Sequence, residues 1–108
     1  MQKNLKEIEK RISSIKKELM TIGEMRPGSL TLQYQKPEEK KGAYYQISYT
    51  HHMKSRTQHV RPEFVEDLKI QIEAFKKFKA LVAEWTDLAI EHSITKIQIA
   101  KEDGKKVS

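Results

Sequence analysis

The sequence predicts an α+β fold in which two long helices form an antiparallel coiled-coil-like stalk around a small three-stranded antiparallel sheet. Three observations support this prediction: a heptad pattern of apolar residues over 2–22, a period-two alternation over 29–60, and a second helical pattern over 62–92. Periods near 3.6 residues indicate amphipathic helices, whereas a period of two indicates half-buried strands. We expect one domain over residues 1–94 and a flexible or strand-like tail over 95–108.

The first helix is predicted from apolar residues spaced alternately three and four apart. They occupy the a and d positions of an uninterrupted heptad seam: Leu5, Ile8, Ile12, Ile15, Leu19 and Ile22. A stripe this narrow suits lengthwise packing against another helix. We therefore expect these six residues to form a helix–helix interface, and Gly23 to end the helix in a left-handed conformation.

The sheet is predicted from alternating segments that turn signals separate. RPG at 26–28 marks a turn, 29–35 alternates apolar and polar residues, and KPEEKK at 36–41 reads as a charged loop. The segment 42–62, which we call the hairpin segment, is rich in the Tyr, Ile, Thr and Val typical of strands. Its central HHMK lacks the Gly or Asn of tight hairpin turns, so the turn type stays open. We expect the strand order 1-2-3.

The second helix has a well-marked start. Pro62 suits the first helical turn, and Glu63, Glu66 and Asp67 suit the positive end of the helix dipole. Its apolar stripe follows the heptad spacing at first and then broadens towards Trp85. We expect residues from about 70 to 92 to pair with the first helix.

The composition of the 108 residues limits the class of protein. The chain contains no Cys, which excludes disulfides and thiolate metal sites. No stretch is apolar enough for a membrane span or a signal peptide, so we expect a cytoplasmic protein with no membrane partner. No nucleophile elbow or glycine-rich phosphate loop is present, and we predict no catalytic residues and no cofactor. His51, His52 and His59 lie in the hairpin segment, but zinc requires further ligands that are not close in the sequence, so no metal site is predicted.

Positive charge is concentrated around the hairpin segment. The formal net charge is +6, and residues 26–61 contain seven Lys or Arg against two Glu, both of which lie in KPEEKK. Residues 62–92 contain seven acids against four Lys. A basic patch confined to one module is typical of a protein that binds phosphate backbones, although a solvated lysine-rich surface is an alternative reading.

We expect the hairpin segment to contact nucleic acid. Arg and Lys bond guanine edges, Gln pairs with adenine, Tyr stacks on unpaired bases, and a two-stranded ribbon fits the major groove. Two registers remain open: the face of Tyr44, Gln46, Ser48 and Thr50 carries either Arg56 and Gln58 or Ser55, Thr57 and His59. The predicted nucleic-acid-binding residues are Tyr44, Gln46, Lys54, Arg56, Gln58, His59 and Arg61.

Four short motifs follow one another in the chain: Gly28-Ser29-Leu30, Gly42-x-Tyr44-Tyr45, Ser48-x-Thr50 and Lys54-x-Arg56-x-x-x-Val60. Over roughly residues 23–90 this pattern resembles a family of small uncharacterised prokaryotic proteins that are often met near mobile elements. Members often carry a cysteine-bearing insert where this chain has KPEEKK, so no metal role is carried over. The resemblance implies no settled activity.

A looser similarity is to the amino-terminal DNA-binding domains of phage-type tyrosine recombinases, whose three-stranded sheet enters the major groove. It implies that Tyr45, Lys54, Arg56 and Gln58 lie on or beside a reading surface, although a shared fold does not fix function.

Two functions are therefore open. The first is a non-enzymatic nucleic-acid-binding protein, for DNA rather than RNA, acting as an accessory factor of a mobile element or phage. The second is a coiled-coil adaptor or subunit whose helices bind another protein or a second copy of the chain.

Overall fold

The computed structural model describes residues 4–107, and the side chains of residues 4–104. The elements are α1 (Leu5–Met20), β1 (Ser29–Lys36), β2 (Lys41–His51), β3 (Lys54–Val60), a 3₁₀ turn (Pro62–Phe64) and α2 (Val65–Val107). The predicted α+β class and strand order are confirmed, and the three-stranded sheet is antiparallel. Within the described residues, no helix is both long and apolar enough to cross a bilayer.

The chain divides into two compact units, whereas the sequence predicts one domain over residues 1–94. The sheet unit comprises Gly23–Lys77, and the helical unit comprises the described residues on either side of it. α2 contributes its first part to the sheet unit and its second part to the helical unit.

The carboxyl-terminal tail differs from its prediction. Residues 95–107 continue α2 as a helix and do not form a strand, and residue 108 of the predicted tail lies outside the described residues. The spacing of three between Ile94 and Ile97 suits a helix, and the spacing of two between Ile97 and Ile99 suits a strand. Extending an existing helix also requires no new nucleus, and no Pro interrupts this stretch. The period-two reading was wrong because three isoleucines are too few to define a period.

α1 ends earlier than Gly23, the residue predicted to terminate it. Asn4 caps the start by accepting a hydrogen bond from the Glu7 N–H at 2.9 Å. At the other end, Thr21 is the C-cap, and its hydroxyl donates to the Glu18 carbonyl at 2.7 Å. Gly23 is not among the residues with positive φ, so it does not act as a left-handed terminator.

The helical unit has its own apolar cluster. Ile8 and Ile15 of α1 are fully buried and pack with Leu81 and Leu88 of α2. The other members are partly buried and pack against these four: Ile12, Leu19, Ile22 and Trp85. The heptad seam of α1 is therefore covered by the chain's own second helix, except for Leu5, which is partly buried outside the cluster.

Polar pairs flank this cluster. Arg11 of α1 donates from Nε and Nη2 to the two carboxylate oxygens of Glu84 in α2. These hydrogen bonds raise the pKa of Arg11 above its ordinary value. His92 Nε2 lies 3.0 Å from Glu9 Oε1. Pairs of this kind contribute little stability but favour one register of the two helices.

The sheet unit is built around Ile47 of the central strand β2, which is fully buried. It forms a cluster with Val60 of β3 and with Val65, Leu68 and Ile72 of α2, and Leu30 and Tyr45 pack against it. We call this side of the sheet the core-side face and the opposite side the outer face. α2 covers the core-side face at Ile47 and leaves it exposed towards the β2–β3 turn and, at the opposite end, around Leu32, which is 45% exposed.

The β2–β3 turn consists of two residues, His52 and Met53, with φ angles of 51° and 64°. Two left-handed residues are what a type I′ hairpin turn requires, and they are usually Asn and Gly. The sequence did not reveal this turn because neither residue is present. A non-glycine residue in this conformation costs roughly 1–2 kcal/mol.

Relieving this turn is expected to stabilise the hairpin. Replacing His52 with Asn and Met53 with Gly should raise the free energy of unfolding by about 1 kcal/mol, because both new residues tolerate positive φ. Urea denaturation followed by circular dichroism measures the change. The control is Thr57→Gly, an exposed position within β3, which should lower stability by roughly 0.5–1 kcal/mol. An unchanged or lower midpoint for the double variant would show that the turn is not strained.

Candidate nucleic-acid interface

The strand register distributes the predicted contact residues over both faces of the sheet. Side chains of directly paired residues share a face, and successive residues alternate between faces. The pairs Gln46–His59, Ser48–Thr57 and Thr50–Ser55 place these side chains on the outer face. The pairs Ile47–Gln58, Tyr49–Arg56 and His51–Lys54 place theirs on the core-side face. Of the two registers left open by the sequence, the one that puts Arg56 and Gln58 beside Tyr44 is therefore wrong.

The outer face is polar and contains no Lys, Arg, Asp or Glu on the paired strands. Its members are Ser29, Thr31, Gln33, Tyr44, Gln46, Ser48, Thr50, Ser55, Thr57 and His59. The rings of Tyr44 and His59 stack with their centroids 5.3 Å apart. This face holds three of the predicted residues, Tyr44, Gln46 and His59, but none of the predicted cations.

The cations lie on the core-side face, at the end near the turn. Lys54 and Arg56 are exposed there opposite His51 and Tyr49. Among the residues described, no acidic side chain forms an ion pair with either of them. No Asp or Glu occurs between Gly42 and Arg61 in the sequence. We call Arg26, Tyr49, Lys54, Arg56 and Gln58 the cationic end of the hairpin.

Arg26 joins this group from outside the hairpin segment. Its guanidinium lies 5.1 Å from the centroid of the Tyr49 ring and donates to the side-chain oxygen of Gln58. Its backbone N–H donates to the carbonyl of Gln71 at 3.1 Å, which fixes the segment that carries it. No local pattern predicts this placement, because Arg26 and Gln58 are 32 residues apart in the chain.

Arg61 occupies a different setting. It follows β3 and forms an ion pair with Glu63 at 3.6 Å, in front of the 3₁₀ turn. An exposed pair of this kind is weak, but it places a negative charge beside Arg61 that the other cations lack. The seven predicted residues thus divide into three on the outer face, three at the cationic end and Arg61 beyond it.

The tip of the hairpin exposes an apolar side chain. Met53 is 98% exposed, and His52 beside it is also exposed. The rings of His51 and His52 approach to 3.9 Å between centroids. Within the described part of the chain, no three His, Asp or Glu side chains are grouped to hold a metal ion.

Comparison with known proteins identifies a family to which the chain is similar. The model of a family described as "Domain of unknown function (DUF6788)" matches residues 5–70. This stretch includes α1, the whole sheet and the start of α2, and so begins before and ends before the range 23–90 of the predicted resemblance. No curated protein and no solved structure matches the chain.

Proposed function

Because the chain belongs to the DUF6788 family, whose function is unknown, we propose a function from its own residues: non-enzymatic binding of nucleic acid, DNA rather than RNA. The observation that carries the proposal is the cationic end of an acid-free hairpin, where Arg26 lies over the Tyr49 ring and Arg56 is the cross-strand partner of Tyr49. Lys54 lies on the same face, opposite His51. A role as an accessory factor of a mobile element or phage fits this activity and is part of the proposal.

The charges of the cationic end suit contact with phosphates. Lys54 and Arg56 form no ion pair with any acidic side chain that the structure describes, so docking on DNA would release condensed counterions without breaking such a pair. Arg26 is already oriented by Gln58 and Tyr49, which lowers the entropy lost when it binds a phosphate. The three side chains together provide a positive surface on the core-side face, at the end near the β2–β3 turn.

The proposal uses only part of the predicted surface. One side of a ribbon faces DNA at a time, so Tyr44, Gln46 and His59 on the outer face do not join the same contact as Lys54 and Arg56. In the analogy with phage-type recombinases, whose helix-backed sheet lies in the major groove, the outer face would enter the groove. None of the predicted cations lies on that face. The end of the hairpin is the contact that we propose.

Charge reversal tests the proposal. The variant Lys54→Glu/Arg56→Glu is expected to raise the Kd for duplex DNA at least about tenfold, because two attractive contacts with phosphates become repulsive, and a lost base contact would cost roughly a further 1–3 kcal/mol. Fluorescence anisotropy with labelled duplex, single-stranded DNA and RNA, over about 50 to 300 mM salt, measures the affinities, and wild-type affinity should fall steeply with salt.

The matched control reverses two exposed lysines of the helical unit. Lys96→Glu/Lys101→Glu changes the net charge by the same amount and should leave the Kd nearly unchanged. An equal loss in both variants would show that only overall charge matters. No wild-type binding at the lowest salt would refute nucleic-acid binding altogether.

A second candidate is an adaptor that binds a protein through its helices, which we propose pack as an antiparallel coiled coil. One observation favours it: the second part of α2 exposes apolar side chains at helical spacing, Val82, Ile90, Ile94 and Ile97. The partner surface in this case is this stripe and not the heptad seam of α1, because Leu81 and Leu88 already cover the seam.

A further inference from the structure

Met53 is the most exposed large apolar side chain among the described residues. It is 98% exposed at the tip of the hairpin, and no contact with residues 4–104 accounts for its presence there. A side chain at this point contributes nothing to either apolar cluster. Burial of Met53 would therefore have to come from a binding partner.

The backbone at Met53 adopts a conformation that is energetically unfavourable for a residue with a side chain. Met53 and His52 both have positive φ, where Gly or Asn would be nearly free of strain. Strain of this kind persists at sites where particular side chains are needed. The turn therefore holds a long, unbranched apolar group at the extreme end of the ribbon, projecting away from the sheet.

The charges next to Met53 favour one kind of partner. Lys54 follows it directly, Arg56 is two residues further, and no acid lies between Gly42 and Arg61. An apolar partner surface would leave these cations desolvated, whereas the phosphates on both sides of a DNA groove pair with them. A DNA groove offers both kinds of contact: stacked base pairs for the apolar side chain and phosphates for the neighbouring cations.

On these grounds, and resting on the proposed function, we propose that Met53 is a wedge that enters duplex DNA between two stacked base pairs and bends it. Side chains such as Met, Leu, Ile and Pro insert in this way from the minor groove and kink DNA by roughly 20–90°. Lys54 and Arg56 then hold the phosphates of the widened groove. Flexible pyrimidine–purine steps such as TA unstack most easily and are the expected sites.

The test separates bending from binding. A duplex with a central TA step carries a donor and an acceptor dye at its two ends, and energy transfer at saturating wild-type protein is expected to rise. Met53→Ala should abolish most of this rise while changing the Kd by less than about threefold, because phosphate contacts dominate affinity. Met53→Leu, which keeps an apolar wedge, should restore the rise.

Met20→Ala is the matched control, since Met20 is 85% exposed in the helical unit. It should bend DNA as the wild type does. Wild-type binding without bending, or bending by Met53→Ala equal to that of the wild type, would overturn the wedge and leave the proposed function standing. Absence of wild-type binding to any duplex would overturn both.

Discussion

Replacing Ile47 with aspartate is expected to unfold the sheet unit. Ile47 is fully buried between β2 and α2, in contact with the cluster of Val60, Val65, Leu68 and Ile72. An unpaired carboxylate there loses its hydration and gains no partner, which costs at least several kcal/mol. Domains of this size are stable by only about 5–15 kcal/mol. Circular dichroism and amide hydrogen exchange should show loss of the strands at a temperature where the wild type is folded.

Two further variants decide whether burial is the cause. Ile47→Val removes one methylene and should cost only about 0.5–1.5 kcal/mol. Ser48→Ala lies next in the chain but on the exposed outer face, and should change stability by no more than about 0.5 kcal/mol. A folded Ile47→Asp variant with a wild-type urea midpoint would mean that α2 does not cover this face of the sheet.

The elements themselves could be predicted because each has a local cause. Heptad spacing predicts α1, and Pro62 with three acids predicts the start of the second helix. Alternation in 29–60 defines three strands, and short connections between them leave few orders other than 1-2-3. The tail was mispredicted because its few isoleucines satisfy both periods.

The face of each hairpin side chain could not be predicted with the same ease. A register shift of one residue moves every side chain of a strand to the other face. A turn with an even number of residues keeps Thr50 opposite Ser55, whereas an odd number would bring Arg56 to the face of Thr50. HHMK contains no Gly or Asn to fix this number, so only the structure shows that Arg56 lies opposite Tyr49.

Arg26 shows a second limit of the sequence. Its contacts with Gln58 and Tyr49 depend on how the segment before β1 returns to β3, which no local pattern encodes. The sequence identifies the hairpin as basic but does not show that a third cation joins Lys54 and Arg56. Compared with the predicted site, the proposed site omits Tyr44, Gln46 and His59 on the outer face. It gains Arg26 at the cationic end.

Gly28→Ala is expected to destabilise the sheet unit by about 2–5 kcal/mol, the sum of backbone strain and overpacking. Gly28 has a φ of +147°, a conformation that side chains rarely adopt. A Cβ atom there would lie 2.8 Å from Cγ1 of Ile47 and 3.2 Å from the carbonyl oxygen of Ser48. Ile47 cannot move aside, because it is fully buried in the cluster that holds α2 on the sheet. Urea denaturation of the variant measures the loss.

Gly23→Ala is the matched control five residues earlier in the chain. A Cβ atom at Gly23 meets nothing within 4 Å, and its φ is not positive. The substitution should therefore leave stability unchanged or raise it by about 0.4–1 kcal/mol, through the lower entropy of the unfolded chain. Equal effects of the two substitutions would mean that the segment before β1 does not pack against Ile47. A large loss at Gly28 alone would show that this segment, which also carries Arg26, is held in place by the buried core of the sheet.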